Sequence, residues 1–479
     1  MNTVTDETVS THDTNPPASD SNRVSNLTRR EFIKIAATTT AAAVLAACAP
    51  AVPAAPAQAP STATTPGAPA VLKGTTLNML QWSHFVPEGD KYFDAKAAEW
   101  GQKNNVDVKI EHINANDIPA RLAASVQAKS GPDIIQYLFN WAWLFPEALV
   151  DVSDIADKLG SQMGGWYKDI ESYCKPGGAW KAVPFSFYGQ VINYRGDWFK
   201  ESNIALPKTM DDLIGVAKTL KQLNHPFGQA LGHSFSDPRV FWYPWLWSYG
   251  AKEVMEDGKT IALDSPETLE AVTKAVELFQ VMVPGTLSWD DNSNNRAFLA
   301  GQIGATTNAA SIYFTAKREK AQREEQKKTN PAIAAPADIE HVVLPAGKAG
   351  KFSLQSALTN GITAWSKNVP AAKDFIVAMM QPDIYNGYLD TVQGYNVGPL
   401  HSFDDAPVWK SDPKILAFRE AITEGSSRWP GWPGPPSAAS SQVAENYIII
   451  DLFAKACSGE FSPKESIANT VTQLKRFYK

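Results

Sequence analysis

The fold is decided near the start of the body of the chain, where three short segments read TLNMLQ (76–81), VDVKI (106–110) and PDIIQY (132–137). Each has the length and the apolar or alternating character of a β-strand. Helical periodicity follows Pro87, between the first two segments, and recurs over residues 118–129, between the second and third. This β-α-β-α-β order predicts a parallel sheet covered by helices, so the body is expected to be α/β.

The same patterns predict the elements further along the chain. Helices are expected at 209–223, 265–282, 370–381, 437–456 and 463–477. Strands are expected near 183–185, 190–194, 302–307, 340–344 and 358–364. The aromatic segment FWYPWLW (241–247) also predicts a helix, and the charged run at 317–328 predicts a helix with a solvated face.

The composition excludes several classes of protein. The chain has 479 residues, of which 44% are hydrophobic and 20% charged, so it is long enough for more than one domain and too apolar to be disordered overall. A net charge of -6 argues against a nucleic-acid-binding protein, which needs a basic face. Three cysteines are too few for a disulfide scaffold. Fifteen tryptophans are many, and several lie in Pro/Gly-rich segments where core packing explains them poorly.

The first 47 residues have the features of an export signal. A polar stretch is followed by Arg29 and Arg30, which resemble a bacterial twin-arginine motif. Residues 35–47 are uncharged and mostly apolar, and they are too few for a membrane span, which needs about 20. The segment ends LAAC at 45–48, which resembles the lipobox of bacterial lipoproteins, with Cys48 as the lipidated residue. The alternative is a secretory signal with an incidental cysteine.

Residues 48–71 are nearly all Ala, Pro, Thr and Ser, and we interpret them as a tether. Together with the signal at 1–47 they predict a protein that is exported and then held at the outer side of the cell membrane through Cys48. No other stretch is long and apolar enough to span a membrane.

Five segments of the body, in order, resemble one protein family. They read SGPDII (130–135), AVPFSF (182–187), PKTMDDL (207–213), AFLAGQIGA (297–305) and AWSKN (364–368). Together with the lipoprotein-like leader, the chain resembles the family 1 extracellular solute-binding proteins that serve ABC sugar importers. The resemblance covers roughly residues 75–479.

The resemblance implies a two-lobed, type II periplasmic-binding-protein fold with a multi-crossing hinge. Residues 72–188 and 343–381 are expected to form the N-terminal lobe, and 189–342 and 382–479 the C-terminal lobe. It also implies a carbohydrate ligand held between the lobes, the transmembrane subunits of an ABC permease as partners, and a monomer. No catalytic residue, cofactor, metal or nucleic acid is expected.

Most candidate ligand residues are aromatic and polar residues in loops after strands. Trp429 and Trp432 are chosen because they lie on a Pro/Gly-rich loop, and Trp245 because one tryptophan of the helix predicted at 241–247 is expected at the cleft. Flat rings cover the apolar faces of a sugar, and polar side chains pair with its hydroxyls. The candidates are Trp82, Ser83, His84, Asn140, Trp141, Phe187, Tyr188, Trp245, Asn308, Ser311, Tyr395, Asn396, Trp429 and Trp432. Trp82, Trp141, Trp245, Trp429 and Trp432 could instead be core residues, and His84 could be structural.

Three other functions remain open. A lipid-anchored glycoside hydrolase would need two carboxylates beside its cleft; a receptor for a non-sugar polar solute and an adhesion or sensory lipoprotein would need other ligands. The segment GHSFS (232–236) lacks the last glycine of a nucleophile elbow. P-loop, dinucleotide and HExxH motifs are absent from the sequence. Asp290 and Asp291 are interpreted as caps of the helix that follows them.

Overall fold

The computed structural model describes residues 74–423 and 426–479. The predicted signal (1–47), the tether (48–71) and Cys48 lie outside the described residues. The strands, in chain order, are β1 (Thr75–Trp82), β2 (Val106–Ile113), β3 (Ile134–Leu138), β4 (Val183–Phe187), β5 (Val191–Arg195), β6 (Ala305–Asn308), β7 (Ile339–Val343), β8 (Phe352–Leu354), β9 (Ala357–Ile362) and β10 (Ser426–Arg428).

The α-helices between the strands are numbered in the same way. They are α1 (Pro87–Asn104), α2 (Ile118–Ala128), α3 (Ser153–Gln162), α4 (Lys168–Cys174), α5 (Gly196–Glu201), α6 (Met210–Gln222), α7 (Asp237–Ser248), α8 (Pro266–Phe279), α9 (Ser293–Leu299), α10 (Ser311–Arg318), α11 (Lys320–Thr329), α12 (Val369–Met379), α13 (Pro382–Val392), α14 (Val408–Ser411), α15 (Leu416–Thr423), α16 (Ala438–Glu445), α17 (Ile448–Cys457) and α18 (Pro463–Leu474).

The first lobe is built on a five-stranded sheet with the order β2-β1-β3-β9-β4. Strands β1, β2 and β3 are parallel, whereas β9 runs antiparallel to both β3 and β4. Strands β1, β3 and β4 therefore run in one direction, and their carboxyl ends lie at one edge of the sheet. The β-α-β-α-β order predicted for residues 76–137 is confirmed.

The second lobe is built on the antiparallel sheet β6-β5-β7. The pair β8 and β10 lies beside it, against α7. Helix α7 is buried along its whole length, which explains why its sequence is apolar on every side rather than on one stripe. Its residues Trp242, Trp245 and Trp247 are each 0% exposed, so this helix is the centre of the second core.

The chain crosses between the two lobes several times. It leaves the first sheet after β4 and enters the second sheet at β5, so residues 188–190 form one crossing. It returns between β8 and β9, at residues 355–356. A third crossing follows His401, whose backbone still bonds to Gly165 of the first lobe, because α15 then packs on β5 and β7.

Two predicted lobe boundaries, at 343 and 382, differ from this packing. Residues 343–354 lie with the second lobe, because β8 contacts α7 and the amide of Ala346 bonds to Lys208. Helix α13 lies with the first lobe, because it packs on α1. The sequence pattern identified both elements, but a hydrophobic pattern does not specify which sheet an element joins.

Most predicted elements are present, with ends shifted by a few residues. The helix predicted at 241–247 is confirmed as part of α7. The single helix predicted at 437–456 is instead the pair α16 and α17, because Tyr447 has φ 57° and this left-handed conformation interrupts the helical backbone. Among residues 74–423 and 426–479, no helix is long and apolar enough to cross a membrane.

Candidate ligand-binding site

Three aromatic side chains meet at the carboxyl edge of the first sheet. Trp82 is the last residue of β1, Phe139 follows β3, and Tyr188 follows β4. The ring centroid of Tyr188 lies 6.2 Å from that of Trp82 and 6.4 Å from that of Phe139. Phe139 has φ 49°, an uncommon conformation for an aromatic residue, which turns the chain away from the sheet.

The second lobe adds Phe235, which precedes α7. Its ring lies 5.2 Å from Trp82 and 6.2 Å from Phe85, both in the first lobe. Tyr395 stacks on Tyr188, with ring centroids 6.2 Å apart and planes 7° from parallel. We call this group the aromatic cluster; its members are Trp82, Phe85, Phe139, Tyr188, Phe235 and Tyr395. Rings of both lobes therefore face each other across one boundary.

A buried arginine lies beside the cluster. Arg239, on the first turn of α7, is 1% exposed and forms an ion pair with Glu445 at the end of α16. Its guanidinium lies 4.8 Å from the ring of Tyr447 and 5.7 Å from that of Phe139. Glu445 also accepts the indole N–H of Trp141, a residue of the first lobe. This carboxylate therefore joins the two lobes.

Several buried polar atoms near the cluster have no hydrogen-bond partner among the described residues. They include Nε and Nη2 of Arg239 and Oδ2 of Asp237, on the same turn of α7. Unpaired polar atoms are costly to bury, so a protein normally supplies a partner for each of them. A polar ligand between the lobes could supply these partners.

Two buried carboxyl groups lie at the N-terminus of α7. Burial raises the pKa of Asp237 well above its ordinary value, and the nearby charge of Asp291 raises it further. Burial also raises the pKa of Asp291, against the hydrogen bonds it accepts from the amide of Asp237 and the hydroxyl of Ser234. Asp291 therefore caps α7 in space, whereas the sequence predicted it as a cap of α9. Asp290, by contrast, does accept hydrogen bonds from Asn292 and Ser293, at the start of α9.

A cavity of about 280 Å³ opens between the lobes at the cluster. The first lobe lines it with Trp82, Ser83, Phe85, Asn114 and Asn116, and the second with Phe235, Asp290, Asp291 and Asn292. Aromatic faces and amide or carboxyl groups thus share one small space, which suits a ligand with both apolar faces and hydroxyl groups.

Six of the predicted ligand residues lie in or against the aromatic cluster. They are Trp82, His84, Asn140, Trp141, Tyr188 and Tyr395. The ring of His84 lies 4.7 Å from that of Trp82 and is held by Asp90, to which both its Nδ1 and its backbone amide are hydrogen-bonded. Asn140 contacts Ser440 and Ser441 of α16 with its side chain and its carbonyl oxygen.

Three more predicted residues lie close to the cleft. Ser83 is exposed and lines the 280 Å³ cavity. Asn308 and Ser311 form a hydrogen-bonded group with Asn295, and the Asn308–Ser311 distance is 3.2 Å. Asn295 in turn lines a neighbouring cavity between the lobes, so Asn308 and Ser311 support its wall.

The structure places the other five in different surroundings. Phe187 packs edge-on against Tyr167, and Asn396 is hydrogen-bonded to Ser186 and Tyr388. Trp245 is a core residue whose indole donates to the carbonyl of Ala271. Trp432 packs on Trp247 and Phe352, at the end of α7 remote from Arg239. The indole of Trp429 donates to the carbonyl of Gly434 within its own loop.

Sequence reasoning missed Phe85, Phe139, Phe235, Arg239, Glu445 and Tyr447. Phe139 directly precedes Asn140, and the argument for loops after strands applied equally to it. Arg239 could also have been found from the sequence, because it is the only basic residue of the apolar helix α7. A charge in a buried helix is rare unless it has a partner. Glu445 and Phe235 lie far apart along the chain from the residues they meet, and their role depends on the fold.

The described residues offer no site for a metal ion. Within residues 74–423 and 426–479, no group of three or more His, Cys, Asp or Glu side chains is arranged to hold one. Among the described residues, the cysteines Cys174 and Cys457 are free thiols. Cys174 is buried and Cys457 is partly buried.

The fold and the cleft together define a two-lobed α/β binding protein. The sequence profile described as bacterial extracellular solute-binding protein matches residues 95–417, and the chain belongs to this family. This confirms the resemblance predicted from the sequence.

Individual relatives agree with this assignment. The chain is 25% identical over 335 residues to YcjN of Escherichia coli (strain K12), a periplasmic-binding protein assigned to an ABC transporter; the match covers 67% of this chain and 72% of YcjN. Maltose-bound MalE3 of T. maritima has a TM-score of 0.70 and 17% identity, covering 84% of this chain and 100% of that one. The GacH receptor of Streptomyces glaucescens has a TM-score of 0.68 and 20% identity, and the match covers 85% of this chain and 100% of that one. The two-lobed fold is confirmed by these structures.

Proposed function

We propose that this protein is the extracytoplasmic receptor of an ABC importer and that it binds a mono- or oligosaccharide between its lobes. The observation that carries the proposal is the aromatic cluster, in which Phe235 of the second lobe meets Trp82 and Phe85 of the first. A ligand among these rings would contact both lobes at once. It would therefore stabilise the closed arrangement more than the open one.

The chemistry of the cleft favours a carbohydrate. Aromatic rings cover the C–H faces of a sugar, while Asn114, Asn116 and Ser83 in the cavity can pair with its hydroxyls. Arg239 and Asp237 lie behind the cluster rather than on the cavity wall, so their unpaired atoms would pair only with a ligand that enters between the rings. The names of the structural relatives support the same class, since the T. maritima protein carries maltose and the S. glaucescens receptor is described with acarbose.

The partner would be a membrane permease that distinguishes the closed receptor from the open one. The assignment of YcjN to an ABC transporter supports this partner. The receptor itself would act as a monomer and would catalyse no reaction. Two carboxyl groups line the cavity, but Asp291 accepts backbone hydrogen bonds as a cap of α7 and Asp290 does so at the start of α9, which supports this last point.

The leader indicates how the receptor would be held at the membrane. Export would precede lipidation at Cys48, and residues 48–71 would join the anchor to the two lobes. Two acyl chains hold a protein stably at a membrane, whereas one chain gives only reversible binding. The permease and its receptor would then share one membrane surface.

A thermal-shift screen against neutral mono- and oligosaccharides, polyols and polyamines tests the function. A ligand that binds the native state raises its melting temperature, and the best ligand is then measured by calorimetry. Phe235→Ala should lower the affinity by roughly thirtyfold, because a buried ring contributes about 2 kcal/mol. Trp432→Ala is the matched control; the structure places this ring outside the cluster, so the variant should bind like wild type.

Each result discriminates between functions. Saccharide binding that is lost in Phe235→Ala supports the proposal. A polyamine as the only ligand would favour a receptor for a non-sugar polar solute, and release of reducing sugar from an oligosaccharide would favour a glycoside hydrolase. If Trp432→Ala lost the ligand and Phe235→Ala did not, the site would lie at the Pro/Gly-rich loop instead.

A further inference from the structure

A second cavity adjoins the aromatic cluster and differs from it in charge. It has a volume of about 540 Å³ and shares Phe85 and Asn292 with the smaller one. Pro87 of the first lobe also lines it, so it too lies between the lobes. The rest of its wall comes from the second lobe: Asn295, Arg296, Leu299, Ala300, Thr315, Arg318, Arg323 and Ile333.

Three arginines face this space, and its described lining includes no Asp or Glu. Their acidic partners lie outside the wall, and the ion pairs of two of the arginines are long. Arg296 is 3.4 Å from Asp290, and Arg318 is 3.4 Å from Glu319 and 3.6 Å from Glu88. Because these two side chains are also partly solvent-exposed, such pairs are weak and easily exchanged for another anion.

Arg323 is the buried member of the group, with 9% of its surface exposed. Its Nη2 donates to Glu319 at 2.7 Å and its Nη1 to the carbonyl of Leu299 at 3.3 Å. Its Nε is buried and has no partner among the described residues. The guanidinium is therefore fixed in place by two bonds, and its Nε remains a donor without an acceptor.

Neutral donors complete the wall. Asn295 donates one N–H to Ser311 and accepts a hydrogen bond from Asn308, so its orientation is fixed. Asn292 and Thr315 line the same space. Guanidinium and amide groups around an open space match the oxygen atoms of a carboxylate, sulfate or phosphate.

We infer that this cavity is a subsite for the anionic substituent of a carbohydrate whose uncharged part lies in the aromatic cluster. The inference rests on the proposed function and narrows it to acidic sugars, such as uronates or sugar sulfates and phosphates. The two cavities adjoin at Phe85 and Asn292, so a ligand that extends past these two side chains would occupy both. The anionic group of the ligand would take the place of Glu88 as a partner of Arg318.

Calorimetry on the full chain compares matched neutral and acidic ligands. The probes are glucose with glucuronate and glucose 6-phosphate, galactose with galacturonate, and sodium sulfate alone. The acidic member of a pair should bind at least tenfold more tightly, and this advantage should shrink as NaCl is raised, because exposed charges are screened. Arg296→Gln and Arg318→Gln should each reduce the acidic-to-neutral affinity ratio by roughly tenfold.

Two features make the ratio a clean readout. Any effect of Arg318→Gln on lobe closure, through its lost pair with Glu88, acts on both ligands and cancels. Arg121→Gln, at an exposed arginine of α2 that is 3.3 Å from Glu111, is the matched control and should leave the ratio unchanged.

The outcomes separate this inference from the proposed function. Neutral and acidic sugars of equal affinity, or a ratio that neither variant changes, would overturn the anionic subsite and leave a neutral-sugar receptor. Sulfate that binds at the arginines while acidic sugars do not would also overturn it. If no saccharide binds in any form, the proposed function itself fails. An acidic-sugar advantage lost in both variants and kept in Arg121→Gln supports the inference.

Discussion

Glu253 shows how one buried residue can make the stability of this protein depend on pH. It is 0% exposed, and it accepts hydrogen bonds from the hydroxyl of Tyr478 at 2.6 Å and from the amide of Gly431 at 3.1 Å. Burial raises its pKa to about 7, and these two hydrogen bonds offset only part of the effect. Glu253 thus joins the C-terminus to the Trp429–Trp432 loop at the cost of burying an acid.

We predict that Glu253→Gln flattens the pH dependence of stability. Because the folded pKa lies above the unfolded value, this group favours the folded state fully below pH 4.5, and that stability is lost as pH rises through about 7. Relative to wild type, the variant should gain on the order of 3 kcal/mol between pH 4.5 and 8. Urea unfolding at several pH values measures this.

The exposed Glu256→Gln is the control for Glu253→Gln, since both remove one carboxylate from the same segment. A constant difference in unfolding free energy between Glu253→Gln and wild type across this pH range would show that Glu253 does not titrate between its two states.

The sequence identified candidate site residues best where they lie at or just after the end of a strand. Trp82 and Tyr188 follow strands, and the rule that ligands lie beyond the carboxyl ends of strands was sufficient to select them. Trp245 follows no strand; it was proposed for the cleft because one ring of a Trp-rich helix was expected there, yet α7 is buried on all sides. The pair Arg239–Glu445 could not be predicted, because 206 residues separate its members.

At the scale of elements, the ends of the helices were predicted where a capping motif marks them. Ser462 is the N-cap of α18; it accepts from the amide of Glu465, and the Glu465 carboxylate accepts from the amide of Ser462. The predicted start at 463 agrees with this motif. The break at Tyr447 has no such mark, since the segment 437–456 retains helical periodicity across it.

We predict that Ser462→Ala destabilises the protein by about 1 kcal/mol, because the amide of Glu465 loses its side-chain acceptor and the Glu465 carboxylate loses the hydroxyl of Ser462. The melting temperature and the urea midpoint should both fall, and ligand affinity should not change, since α18 packs on α8 and α17 and away from the aromatic cluster. Thr472→Ala, on the exposed side of the same helix, should leave stability equal or slightly higher. A wild-type midpoint in Ser462→Ala would argue against the cap.

At the scale of the whole molecule, local patterns predicted the α/β class but not the division into lobes. The first sheet follows from consecutive strands, and such neighbours commonly pair. Strand β9, by contrast, enters the first sheet between β3 and β4 after more than 160 residues spent mostly in the second lobe. Only the family resemblance indicated such crossings. It placed the first at residues 188–189, where the chain does cross, but the boundaries that it suggested at 343 and 382 differ from the observed packing.

We predict that Cys48→Ala leaves the exported protein unlipidated and releases it from the membrane, since the LAAC segment at 45–48 would lose its acceptor. Metabolic labelling with a radiolabelled fatty acid, followed by membrane fractionation, measures both effects. Cys457→Ala is the control, because its thiol is partly buried in the second lobe and should carry no label. Equal labelling of Cys48→Ala and wild type would contradict the lipobox interpretation.

We predict that the two lobes close around a bound ligand. In the described arrangement the lobes are joined by the Trp141–Glu445 hydrogen bond, the hydrogen bonds of Asn140 with Ser440 and Ser441, the Arg318–Glu88 ion pair, and the contacts of Phe235 with Trp82 and Phe85. These contacts break if the lobes rotate apart about the crossings. Each polar contact among these contributes only about 1 kcal/mol, so we expect the unliganded protein to sample open forms in solution. A ligand in the aromatic cluster adds contacts to both lobes and shifts the population to the closed form.

Small-angle X-ray scattering should therefore show a smaller radius of gyration at saturating ligand, with a curve that fits the described arrangement. A sugar that fails to bind should leave the curve unchanged. If the unliganded protein already fits the closed arrangement and a bound ligand changes nothing, ligand recognition does not proceed by lobe closure.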